Sequence, residues 1–180
     1  GYLEAQKPVT IRENNTIDTA ILLMRGEFLG KNRFSQLALS PGYRYVFQHE
    51  NGTGKDTTII ENDLLAMGSC DEPIRLESDS LGSRAKILYK ALNPTNPDFT
   101  TTYASIRDIA MIPFNGNEYI AENSVDLGNN ENWTFTAPDN SIYYWIGGQG
   151  SWHDPQHWSA SSGGPPLAGQ CIPREINTVV

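Results

Sequence analysis

Apolar and polar positions alternate along most of this chain, the period-two pattern of short β-strands with one buried face. In FSQLALS, Leu37 and Leu39 alternate with Gln36 and Ala38. In YRYVFQ, Tyr43, Tyr45 and Phe47 share a side; in IRLES, Ile74 and Leu76; in AKILY, Ala85, Ile87 and Tyr89. YASIRDIA sets Ala104, Ile106 and Asp108 against Tyr103, Ser105 and Arg107, and reads as one strand. DTAILLMRGEF, from Asp18 to Phe28, fits either a short helix or a buried strand. Turn chemistry separates these runs at Pro41-Gly42, Asn51-Gly52, Gly68-Ser69, Leu81-Gly82 and Asn115-Gly116.

Strands so short and numerous must share a core. The fold class is all-β. Loops of unequal length suit a short parallel β-helix or β-solenoid unit, in which each circuit pairs only with its neighbours. A β-sandwich stays open, because Asn51-Gly52 is a hairpin turn pair. Asn and Asp in NSVDLGNNENW suit stacked side-chain amides at solenoid corners, or an ordinary Asx-rich turn.

The polar stretch TAPDNS, Thr136 to Ser141, marks a boundary. Residues 1–138 read as the C-terminal part of one β unit, 139–141 as a linker, and 142–180 as a Trp/Gly-rich opening segment of a second, incomplete unit. The missing initiator Met and the apolar pair that ends PREINTVV suggest a chain cut from something longer.

Composition narrows the function classes. Thr, Ser, Asn and Gly are abundant, and charged residues are only 19%. That balance favours a turn-rich exported protein. A formal charge of −8 argues against nucleic acid, for want of a basic face. No apolar run approaches the ~20 residues of a membrane span, so no membrane insertion is expected. Cys70 and Cys171 are the only cysteines, and neither stands in a CxxC or CxxH spacing. They are separate thiols or a disulfide, and an exported location favours pairing.

The densest chemistry lies in YYWIGGQGSWHDPQHWS, Tyr143 to Ser159. His153 and His157 are four apart, as for two ligands on one helix face, but Pro155 between them opposes that helix. Trp145, Trp152 and Trp158 read as a structural aromatic cluster, in which the loss of Trp152 should cost a buried tryptophan. The same rings could stack on sugar. Asp63, Asp71, Asp108 and Asp126 are the acids available to a polysaccharide enzyme, and none forms a recognisable pair. No nucleophile motif, phosphate loop or zinc-protease pattern occurs, so neither catalysis, a metal nor a cofactor is expected.

This Trp/Gly-rich segment resembles an opening motif that recurs in very large secreted proteins of the Bacteroidetes. The matching residues are Tyr144, Trp145, Gly147, Gly148, Gly150, Trp152, Asp154, His157, Trp158, Ser159, Pro173 and Val179. The departure is at Ile176-Asn177-Thr178, where an Asp-containing turn is usual. NRFSQLALSPGYRYVF, GSCDEPIRLESDSLGSRAKI, YASIRDI and NSVDLGNNENW are similar to the closing section of the same kind of unit. Many such proteins are of the gliding-motility adhesin type and are exported by type IX secretion. The resemblance implies a β-helical or β-rich repeat on the cell surface, attached to the outer membrane. Implied partners are neighbouring repeats, and surface polysaccharide or other surface proteins. It also implies O-glycosylation at Asp-Ser/Thr sites, which makes Thr19, Thr57 and Ser80 candidates. The expected function is structural and adhesive; the alternative is a carbohydrate-binding or polysaccharide-active β-helix module.

Overall fold

The computed structural model describes residues 1–52, 56–90, 99–112, 118–137, 142–167, 171–174 and 177–180. The 139–141 linker, the Asn115-Gly116 turn and Ile176 lie outside these residues. The chain divides into two compact units, Gly1–Thr136 and Ala137–Val180.

The first unit is all-β with parallel sheets. Its strands are β1 (Tyr2–Ala5), β2 (Val9–Arg12), β3 (Thr16–Leu22), β4 (Gly26–Leu29), β5 (Arg33–Leu39), β6 (Arg44–Phe47), β7 (Thr58–Ala66), β8 (Ile74–Ser78), β9 (Ala85–Tyr89), β10 (Phe99–Thr102), β11 (Ala104–Arg107), β12 (Ile109–Ile112), β13 (Tyr119–Glu122), β14 (Val125–Asp126) and β15 (Thr134–Phe135). From β1 to β9 successive strands alternate between two six-stranded sheets, ordered β1-β3-β5-β7-β9-β12 and β2-β4-β6-β8-β11-β14. A third sheet joins β10, β13 and β15.

Register shows how the chain returns on itself. Tyr2 lies opposite Thr19, Val9 opposite Gly26 and Thr16 opposite Arg33, so the first circuits are each seventeen residues long. Later circuits are longer: Arg44 lies opposite Arg75 and Ala104 opposite Ile74. Most of the excess sits between strands; within the ladder, the pairing of β5 with β7 shifts by one residue between Phe34 and Gln36.

Alternation sends one face of each strand inward. Leu37 and Leu39 of β5, Tyr45 and Phe47 of β6, Ile74 and Leu76 of β8, and Ala85, Ile87 and Tyr89 of β9 are all buried in one core. Phe28 stacks on Phe47 of the neighbouring strand, with centroids 4.8 Å apart and planes at 15°, and meets Phe34 edge-on at 5.7 Å. Each such ring removed from water contributes ~1.5–3 kcal/mol. DTAILLMRGEF is two strands, β3 and β4, joined by a bend at Leu23–Met24. Leu22 and Phe28 are fully buried on either side of that bend, a packing that one short helix would not give both residues.

YASIRDIA is not one strand. Asp108 adopts a left-handed φ of 57° and turns the chain from β11 into β12, which belongs to the other large sheet. Ile106 and Ile109 then both point into the core at 0% exposure. Strict alternation put Ile106 and Asp108 on one face and could not reveal the corner.

The corners are stacked as the strands are. Glu13 has φ 68° and Gly30, one circuit on, has φ 80°. A Cβ on Gly30 would lie 3.0 Å from the Glu13 Cα, so the position excludes larger residues twice over. Tyr103 and Asn123 repeat the pattern with φ of 47° and 48°, and the Tyr103 N–H donates to the Glu122 carbonyl at 3.0 Å.

In the second unit, β16 (Ile142–Trp145) lies between β17 (Trp158–Ser159), antiparallel to it, and β18 (Thr178–Val179), parallel to it. Its core is Trp158 with Leu167 and Ile172, flanked by Tyr143 and Trp145.

Candidate functional site

The segment YYWIGGQGSWHDPQHWS folds around Trp158. Tyr143 and Trp145 occupy the same side of β16, as alternation requires, and Trp145 pairs with Trp158 across the antiparallel ladder. The two indoles meet edge-to-face at 4.9 Å, and Trp152 meets Trp158 at 4.6 Å. All three indole N–H groups donate to backbone: Trp145 to Gly148 O at 3.0 Å, Trp152 to Pro173 O at 3.3 Å and Trp158 to Trp152 O at 2.7 Å. Burial is unequal. Trp158 is 1% exposed and Trp152 is 46% exposed. The cost expected for losing Trp152 therefore belongs to Trp158.

The two histidines part company. Asp154 caps a single 3-10 turn, Pro155–His157, by accepting from Gln156 N, with Pro155 at its first turn. This turn carries His157 under Trp145, rings 4.9 Å apart and 7° from parallel. His157 Nδ1 lies 3.4 Å from Ile146 O, and Nε2 lies 3.8 Å from Asp154. A Cβ on Gly150 would collide with the His157 ring, which accounts for a glycine there. His153 precedes the turn and is exposed. Among the described residues no group of three His, Cys, Asp or Glu side chains is placed to hold a metal ion.

The four acidic candidates stand on different elements. Asp63 lies on β7 and Asp71 in the loop before β8. Asp108 is 2% exposed and accepts from Gly82 N at 3.1 Å and from the Asn129 amide at 2.5 Å. Asp126 ends β14 and accepts from Gly128 N and the Asn130 amide. Asp108 and Asp126 thus hold corners in shape.

Of the glycosylation candidates, Thr19 lies half-buried on β3 and Ser80 half-buried in the turn after β8. Thr57 is 8% exposed and its hydroxyl donates to Glu50, which leaves little room for a sugar. Cys70 and Cys171 are both disulfide-bonded, and neither is a free thiol.

Two features escaped the sequence. The first is the corner that holds Asn15 and Asn32. Asn15 and Asn32 each turn their amide back onto the preceding carbonyls, Asn15 onto Arg12 and Asn32 onto Leu29, and Asn15 donates on to Asn32 Oδ1 at 3.0 Å. NSVDLGNNENW does the same work further on: Asn130 donates to Ile106 O at 2.8 Å and accepts from Ile109 N, and Asn132 donates to Met111 O. The second is on the outer face of the β2-β4-β6-β8-β11-β14 sheet. Glu77 of β8 is 1% exposed, yet it lies on that outer face. Arg44 of β6 reaches it at 2.8 Å, Arg107 of β11 at 3.0 Å, and Arg75 closes on its other oxygen. The carboxylate is enclosed, while the three arginine side chains stay 32–55% exposed. Beside this network an open groove of about 370 Å³ runs over the start of β2, β4 and β6.

Comparison with known protein families, curated proteins and solved structures gives no match to this chain.

Proposed function

We propose that the chain is a structural and adhesive segment of a large cell-surface protein, with its first unit a β-solenoid. The observation that carries this reading is the strand order: from β1 to β9 consecutive strands alternate between two parallel sheets, each pairing with its counterpart one circuit on. Such a ladder transmits load along hydrogen bonds and can lengthen circuit by circuit. Stacked corner amides and a carboxylate shared by three successive strands add sideways ties between circuits. The oxidised cysteines fit an exported chain. The second unit, built on the tryptophan-rich segment, is the start of a further β unit, and the residues gathered in it hold one another rather than a substrate. The setting is the outside of the cell, in surface attachment or gliding after type IX secretion, with neighbouring repeats as immediate partners and no catalysis.

The test is immunolabelling of intact, unpermeabilised cells that express the parent protein, with antibody raised against this chain. Surface labelling that external protease removes is the expected result. Labelling that needs lysis would sink the surface assignment.

A further inference from the structure

We infer that the outer face of the β2-β4-β6-β8-β11-β14 sheet binds a carboxylated polysaccharide along a row of arginines that begins in the groove. Arg25 and Arg44 immediately precede Gly26 and Tyr45, which are register partners, and Arg44 is the register partner of Arg75. Arg44 and Arg75 thus sit side by side on neighbouring strands, and Arg25 stands at the entry to the next strand, one step before the pair Gly26–Tyr45. Strands in a sheet are ~4.8 Å apart, close to the length of one pyranose in an extended chain. A polymer of uronic acids laid across the strands would bring one carboxylate to each guanidinium. The planar guanidinium fork matches a carboxylate with two parallel hydrogen bonds.

Charged and hydroxyl-bearing side chains line the groove alongside the apolar Pro8, Val9 and Val46. Arg25, Arg44, Glu27, Thr10 and the ring of Tyr43 all line it. Glu27 and Thr10 are already bonded to each other at 3.2 Å and are oriented to share hydroxyls. Arg44 is held by Glu77, so its outer edge is fixed before any ligand arrives. Among the described residues the Arg25 guanidinium has no ion pair and no side-chain hydrogen bond. It is the free cation of the row. The chain's formal −8 does not forbid this, because salt screens charges beyond about 8 Å at physiological ionic strength. Glu27 and, beside Gly42, Glu72 do oppose an anion locally. This mixture of acid, hydroxyl and arginine favours a carboxylated sugar, whose hydroxyls Glu27 and Thr10 can bond, over a nucleic acid, whose bases need stacking platforms.

The inference deepens the adhesive reading by naming a ligand class, and rests on it for its place outside the cell. The experiment is calorimetric titration of the whole chain with oligogalacturonate, its methyl ester and oligothymidylate of equal charge. Oligogalacturonate should bind, with the ester and the oligothymidylate at least tenfold weaker. Arg25→Ala should weaken binding about tenfold, the share of one charge-assisted hydrogen bond. Glu27→Gln should tighten it by removing the opposing charge. Equal binding of the ester or of oligothymidylate, no binding of oligogalacturonate, or an Arg25→Ala variant that binds as the parent does would overturn the inference. Melting curves of both variants, expected to match the parent because both side chains are exposed, keep this result separate from the solenoid reading.

Discussion

Asn15 donates its side-chain amide to the side-chain carbonyl of Asn32, seventeen residues on, at 3.0 Å. The two occupy the same corner of successive circuits, each bonded to the carbonyl three residues before it. Asn32 is fully buried, and Asn15, at the end of the stack, is half-buried. The corner is thus tied both along the chain and between circuits. Asn32→Ala removes both ties and strands buried carbonyls, at a cost of about 1–3 kcal/mol. Thermal denaturation should show a clear fall in Tm for Asn32→Ala and a smaller one for Asn15→Ala. Equal falls would mean that burial at the corner does not set its strength.

Glu77 is 1% exposed and answers to three arginines, whereas the arginine side chains stay 32–55% exposed. Glu77→Ala should therefore destabilise the chain more than any of Arg44→Ala, Arg75→Ala or Arg107→Ala, by about 1–3 kcal/mol against less than about 1 kcal/mol for each arginine. Urea denaturation of the four variants measures the order. A single arginine variant as damaging as Glu77→Ala would show that one pair, not the shared carboxylate, holds the strands.

Trp158 is enclosed by Trp145, Trp152, Leu167 and Ile172. Its replacement by alanine should cost the second unit ~3–5 kcal/mol, and Trp152→Ala clearly less. Tryptophan fluorescence and near-UV dichroism during thermal melting report this directly. The reverse order would place the exposed ring at the centre of the packing.

Tyr45 supplies a pH test. Its hydroxyl is buried and shared between the carbonyls of Leu22 and Ser40. Burial, the largest cause, pushes its ionisation well above the ordinary phenol value, and burial raises Tyr89 in the same direction. The neutral form is favoured in the folded state, so this contribution is complete below the unfolded value of about 10 and is lost as pH climbs above it. Chemical denaturation should show stability falling from about pH 10 upward. Tyr45→Phe should be less stable at neutral pH and show a shallower alkaline decline. An unchanged slope would mean that Tyr45 does not carry it.

The strands were legible because one face is buried, which imposes alternation on Leu37 and Leu39 or on Ile74 and Leu76. The aromatic cluster of the second unit was legible through its spacing of Trp and Gly. Which tryptophan is buried was not, because Leu167 and Ile172, which cover Trp158, come from residues well after it. The bend at Asp108 was hidden because a left-handed aspartate leaves the alternation of its neighbours intact on paper. Nothing in IRLES singles out Glu77, since its ion-pair partners Arg44 and Arg107 lie about thirty residues away on either side. The seventeen-residue circuit escaped notice because Glu13 and Gly30 share a corner geometry but not a residue type, and because later circuits change length.

Deleting residues 18–34 tests the stacked-circuit account most directly. Ile17 and Phe34 are register partners, as are Thr16 and Arg33, so joining Ile17 to Ser35 removes one whole circuit and leaves each remaining strand a parallel neighbour. Circular dichroism should keep its β spectrum, and heating should still give a single cooperative transition at a lower Tm. A chain that loses its cooperative transition on this deletion, as a sandwich missing two strands would, contradicts the account.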